Sequence, residues 1–189
     1  GEYMKRLYFS HPYICIFIML LCPLLFVGSW FFIGMVTIIN QKIKHSVRSK
    51  YVGRALQISE FKYNSREITF INIHLSPGTS KHSCDKRKKE IKKIYQLIKK
   101  KDVCILAGDF NESPEGYVYK FLKKKKFKSA CFAKKGYELK TFPSKKPEKC
   151  IDYVWVKGDC VDVDEIRHFG SEKETDHKAI KVILNIKKL

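Results

Sequence analysis

Asp109 and Asn111 stand two residues apart at the end of an apolar run, Ile105-Leu106-Ala107-Gly108-Asp109-Phe110-Asn111. Gly108 lets the backbone turn sharply, and Phe110 then points away from its two polar neighbours. One face is left with a carboxylate acceptor beside an amide that both donates and accepts. Three more strand-like runs carry polar residues at their ends. Ile71-Asn72-Ile73 leads into His74-Leu75, Asp152 opens Ile151-Asp152-Tyr153-Val154, and Thr175-Asp176-His177 precedes the last apolar run. Singly, each also suits a plain structural role, such as an Asx turn or a satisfied strand histidine. Together, at four strand ends of one chain, they are polar groups that apolar packing does not explain, placed where strand-end loops carry chemistry.

The elements that must position these residues follow from the pattern on either side. Ala55 to Phe61 and Ile68 to Leu75 read as two strands joined by the polar turn Tyr63-Asn64-Ser65-Arg66. Ile91, Ile94, Tyr95 and Ile98 recur at helical spacing, which predicts an amphipathic helix over Cys84 to Lys100. Val103 to Ala107 is a buried strand. Pro114-Glu115-Gly116 opens a second helix that turns Tyr117, Val118, Phe121 and Leu122 to the core. Thr141-Phe142-Pro143 is a short extended piece in a polar loop. Ile151 to Val156, Val161 to His168 and Ala179 to Ile186 complete the strands. Mixed in this way, they predict an α/β sandwich with its chemistry on strand-end loops.

The chain has 189 residues, enough for one domain with a core, and a net charge of +19. Such an excess favours polyanions, although it is mostly lysine, and lysine runs such as Lys123 to Lys126 also occur as solvated faces. Seven cysteines, an odd number without a Cys-x-x-Cys pair, fit reduced thiols in an intracellular compartment.

Ile14 to Ile39 is apolar and uncharged, long enough as a helix to cross a bilayer core of roughly 30 Å. Lys42, Lys44, Arg48 and Lys50 follow it, which would leave the rest of the chain cytoplasmic. Trp30 to Ile33 and Val36 to Ile39 also read as buried strands. Two units are therefore expected. Residues 1–33 form an apolar segment, either a membrane anchor or a diverged part of the fold, and residues 34–189 carry the motifs.

In this order the motifs resemble those of the endonuclease/exonuclease/phosphatase superfamily of metal-dependent phosphoesterases. His74-Leu75 is similar to its histidine-leucine motif and Gly108-Asp109-Phe110-Asn111 to its Gly-Asp-x-Asn motif. Asp152-Tyr153 is similar to its Asp-Tyr motif. Thr175-Asp176-His177 matches its Ser-Asp-His motif, with Thr for Ser. Thr141-Phe142-Pro143 resembles the segment before the Asp-Tyr strand. The resemblance implies a four-layer α/β sandwich, two packed sheets flanked by helices, and a Mg²⁺-dependent hydrolase, with Mn²⁺ as the alternative cofactor. It implies that Asp109 positions the attacking water and that Asn111 and His74 meet the phosphate. His177 would act as general base or charge stabiliser, oriented by Asp152, and the metal would be held by Asp176, Asp109 and Asn111. The family's early Asn and metal-binding Glu have no counterpart before Gly34, so the fold is expected to be incomplete at its amino-terminal side and to hold Mg²⁺ weakly.

The substrate expected from the charge is nucleic acid, cleaved by a monomer. Two alternatives stand beside it. One is a membrane-associated phospholipid or sphingomyelin phosphodiesterase tethered through residues 14–39. The other is an inactive, truncated member that only binds polyanions.

Overall fold

Val103–Asp109 (β6) is buried along its whole length because it has a core on each side. Val103, Ile105 and Ala107 enter one apolar cluster, and Cys104 and Leu106 enter the other. This is the two-residue alternation of a strand applied in the middle of a layered fold. The computed structural model describes residues 13–19, 33–39, 48–51, 56–170 and 175–188, and these form two β-sheets with helices.

The strands ahead of β6 are Tyr13–Met19 (β1), Ile33–Ile39 (β2), Arg48–Tyr51 (β3), Leu56–Tyr63 (β4) and Arg66–His74 (β5). Those after it are Lys128–Ser129 (β7), Asp152–Lys157 (β8), Val161–Phe169 (β9) and Ala179–Ile186 (β10). The six-stranded sheet runs β3-β4-β5-β6-β8-β7 and the four-stranded sheet runs β2-β1-β10-β9. Only β5 and β6 pair in parallel within the six-stranded sheet. A parallel pair needs a crossover, and the helix Lys81–Ile98 (α1) supplies it.

The hairpin turn between β4 and β5 carries Asn64 and Ser65 at φ of 50° and 64°, the primed geometry that matches strand twist. The Asn64 amide also donates to the Ile186 carbonyl, at 2.8 Å, and ties the turn to the end of β10. On α1, Ile91, Ile94 and Ile98 form the buried stripe. Tyr117–Lys124 (α2) adds Val118, Tyr119 and Leu122 to the same cluster over the outer face of the six-stranded sheet. The inner cluster, between the sheets, joins Ile68, Phe70, Ile105, Val154 and Val156 to Ile180, Val182 and Leu184. A third helix, Ala130–Lys135 (α3), closes the edge of that cluster with Ala130 and Cys131.

The expected α/β sandwich of two packed sheets is thus present, with several shifts in detail. α1 begins at Lys81, three residues before the expected Cys84, because the Ser80 side chain accepts from the Ser83 amide and caps it. α2 begins at Tyr117, since Ser113 to Gly116 form a turn closed by the Gly116 amide on the Ser113 carbonyl. Residues 13–19 and 33–39 run as strands, β1 pairing with both β10 and β2. The rest of the 14–39 stretch lies outside the described residues. Among those described, no helix is long and apolar enough to cross a membrane.

Candidate active site

His74, Asp109 and Asp152 occupy one row of the six-stranded sheet. His74 pairs with Asp109 across the parallel β5–β6 register, and Asp109 pairs with Asp152 across the antiparallel β6–β8 register. The inner-cluster residues Ile68 and Phe70 precede His74 on its side of β5. Val103, Ile105 and Ala107 do so for Asp109, and Val154 and Val156 follow Asp152. Alternation therefore sends all three polar side chains towards the four-stranded sheet. Phe110 turns the other way, fully buried, with its ring edge-on to Tyr153 at 5.4 Å.

Gly108 is what allows this row. Its φ is 137°, and a Cβ built there would lie 1.9 Å from the Ile73 carbonyl oxygen. No side chain fits between β5 and β6 at that level. Asn111, at φ 50°, curls back over Asp109. Its backbone amide donates to Asp109 Oδ1 at 2.6 Å, and its side-chain amide donates to Asp109 Oδ2 and to the Leu75 carbonyl, each at 3.0 Å. His74 Nε2 stands 3.5 Å from Asp109 Oδ2.

His177 comes from the other sheet, on the loop before β10. Its Nδ1 meets Asp152 Oδ2 at 2.8 Å. The same oxygen accepts a hydrogen bond from the Thr141 hydroxyl, and Thr141 is fully buried. The Thr141 loop is fastened to the His177 loop by the Ser144 amide on the Asp176 carbonyl and the Lys178 amide on the Thr141 carbonyl, both at 2.7 Å. Phe142 lays its ring 4.8 Å from the imidazole. With Nδ1 fixed by a carboxylate, Nε2 is the nitrogen left to exchange a proton with a bound molecule.

The charges of the site act on one another. Burial, the neighbouring Asp152 charge and, more weakly, Asp176 push the Asp109 carboxyl up to about 7, against the opposing pull of His177 and the Asn111 amide. Burial alone would lower the His177 pKa. The hydrogen bond and charge of Asp152, with Asp109 and Asp176 behind it, outweigh burial and raise it above its ordinary value. Asp152 Oδ1 is buried without a protein hydrogen-bond partner.

His74, Asp109, Asn111, Asp152 and His177 are therefore brought together. The Asp176 side chain, by contrast, is exposed, although its charge reaches Asp109 and His177. The compact group of metal-capable atoms among the described residues is Asp109, Asp152 and His177, all within 4.8 Å of one another. Two carboxylates, one with an unpartnered oxygen, and an imidazole form a donor set that fits a divalent cation. Thr141 was not among the expected site residues. Its signal was the isolated Thr-Phe-Pro segment in an otherwise lysine-rich loop.

Residues 86–177 match the Endonuclease/Exonuclease/phosphatase family. This part of the chain, just under half of it, carries that family's sequence pattern. Bos taurus Endonuclease/exonuclease/phosphatase family domain-containing protein 1 is 31% identical over 119 residues, 57% of this chain and 20% of its own length. The chain thus spans about a fifth of that relative. Among solved structures, an endonuclease/exonuclease/phosphatase from Beutenbergia cavernae superposes with a TM-score of 0.61 at 14% identity, over 93% of this chain and 53% of that one. D. rerio TDP2 complexed with single strand DNA product superposes at 0.53 and 17% identity, over 69% of this chain and 61% of that one. These likenesses support the fold, and the family's sandwich is the one described above.

Proposed function

We propose that the chain is a Mg²⁺-dependent phosphodiesterase acting on nucleic acid. The observation that carries this reading is the Asp152–His177 pair, which meets across the two sheets beside the Asp109–Asn111 turn. In the proposed reaction Asp152 holds His177 in one tautomer, so that Nε2 takes a proton from the attacking water or stabilises charge on the phosphorane. Asp109, held in place by the two Asn111 amides, positions that water, and His74 donates to a phosphate oxygen. Asp152 Oδ2 and His177 Nδ1 already satisfy one another, so a cation would be held by Asp109 and the unpartnered Oδ1 of Asp152, with the charge of the exposed Asp176 behind them. There a Mg²⁺ ion, or Mn²⁺ in its place, supplies neutralising charge to the phosphate.

The net charge of +19 supports a polyanionic substrate. Cys84, Cys104, Cys131, Cys150 and Cys160 are free thiols, which suits a reducing intracellular compartment. The decisive experiment is Mg²⁺-dependent hydrolysis of bis-p-nitrophenyl phosphate by this chain and by Asp109→Ala. Metal-dependent turnover that the variant loses is expected. Absence of turnover in the folded wild-type chain overturns the reading.

A further inference from the structure

The stretch from Lys120 to Lys140 holds nine lysines and a single acidic residue, Glu138. That glutamate is turned inward, where its carboxylate accepts from the Tyr119 hydroxyl at 2.6 Å. All of these lysines except the half-buried Lys125 are exposed. The same stretch leaves two aromatic rings in solvent, Phe132 at 50% and Tyr137 at 56% exposure. Both stand on α3 or the turn that ends it at Gly136, whose φ is 77°. Lys123 Nζ lies 5.5 Å from the Phe132 ring centre, and Lys135 Nζ lies 5.9 Å from that of Tyr137.

Folding does not explain this arrangement. Ala130 and Cys131 already provide the contact of α3 with the inner core, while Phe132 and Tyr137 leave about half of their surface in water. The exposed large apolar groups of this stretch are both aromatic rather than aliphatic. Isolated rings among ammonium groups suit sequence-tolerant base stacking beside phosphate contacts. Insertion into a lipid surface would call instead for a continuous apolar face. The surface also lies close to the site: Thr141 is four positions after Tyr137, at most about 14 Å of extended chain.

We propose that α3 and its flanking lysines form a docking surface for single-stranded nucleic acid, with Phe132 and Tyr137 as stacking platforms. The surface feeds a strand towards the Thr141 loop and so towards Asp152 and His177. The proposal rests on the phosphodiesterase reading only for what becomes of the bound strand, because binding itself needs no turnover.

The test is fluorescence anisotropy of the full chain with a labelled oligothymidylate of about 15 nucleotides in EDTA. Phe132→Ala/Tyr137→Ala is expected to weaken binding by about tenfold or more. The midpoint of thermal unfolding and any turnover of bis-p-nitrophenyl phosphate should stay unchanged. Lys134→Ala/Lys135→Ala should make log Kd against log salt shallower by about 1.4. Unchanged oligonucleotide affinity in the ring variant overturns the proposal. So does a loss of binding to phosphatidylserine vesicles with none for the oligonucleotide. If the wild-type chain fails to hydrolyse the small substrate while the ring variant loses oligonucleotide binding, the docking surface stands and the hydrolase reading falls.

Discussion

Asp109 and Asp152 sit opposite one another in the antiparallel β6–β8 pair, two buried carboxylates at one register position. Among the described residues, neither is paired with a lysine or arginine. Two imidazoles stand beside them instead: His177 pairs directly with Asp152, and His74 Nε2 lies 3.5 Å from Asp109. The arrangement is costly in charge and only partly relieved, as is common where a fold holds groups for chemistry rather than for stability.

The first prediction concerns that cost. The Asp109 carboxyl is raised from 3.8 to about 7 in the folded chain. Between those values the folded state binds the proton that the unfolded state has released, so stability falls as pH rises through this window. Asp109→Asn removes the penalty. In EDTA it should be more stable than the wild type at pH 8, by no more than about 4 kcal/mol, with the difference vanishing below about pH 4. Urea unfolding at the two pH values measures it. A wild type that is the more stable at pH 8 would show that Asp109 is not strained.

The second prediction concerns His177. Asp152 raises its pKa against burial, which alone would lower it. If Nε2 acts as a base, activity should appear as pH rises through this raised value. In Asp152→Asn, burial is no longer opposed by that charge, so the acid limb of the pH–rate profile should move to lower pH. The rate should also fall by about 100-fold or more, since the imidazole loses its orienting partner. The pH dependence of kcat separates the two effects. A fall in rate with an unmoved limb would mean that the ionisation seen belongs to another group.

Much of this was legible beforehand because the six-stranded sheet repeats a two-residue period. Val103, Ile105 and Ala107 on one face of β6 imply that Asp109 shares it, and the same count places His74 and Asp152. What periodicity could not supply was the contact between sheets. Asp152 and His177 lie 25 residues apart on elements that never pair, so resemblance rather than spacing suggested the dyad. The Thr141 hydroxyl was hidden for the same reason, being donated across a loop. α3 is six residues long, too short for a helical repeat to show, although Ser129 and Gly136 mark its two ends. The apolar run from Ile14 to Ile39 suits helix and strand alike. The antiparallel pairing of β1 with β10, close to the carboxyl end, involves residues too distant for local pattern to reveal.

The third prediction concerns the support beneath the site. Arg87 on α1 is 3% exposed, and its Nε meets Glu112 Oε2 at 3.1 Å. Its Nη1 donates to the carbonyls of Ser76, at 2.9 Å, and Gly78, at 2.7 Å. Glu112 in turn accepts from the Val118 amide at the start of α2. One guanidinium thus holds the turn after His74 and the turn after Asn111 in a fixed relation. Arg87→Met leaves the Glu112 carboxylate without its partner and frees two carbonyls, and should destabilise the chain by about 3–5 kcal/mol. Arg87→Met/Glu112→Leu removes the stranded charge and should recover part of that loss, while the two site turns remain untethered. Chemical denaturation gives the first comparison. Turnover of a small phosphodiester at matched folded fraction gives the second, and it should stay low in the double variant. Full activity there would show that α1 stabilises the fold without positioning the site.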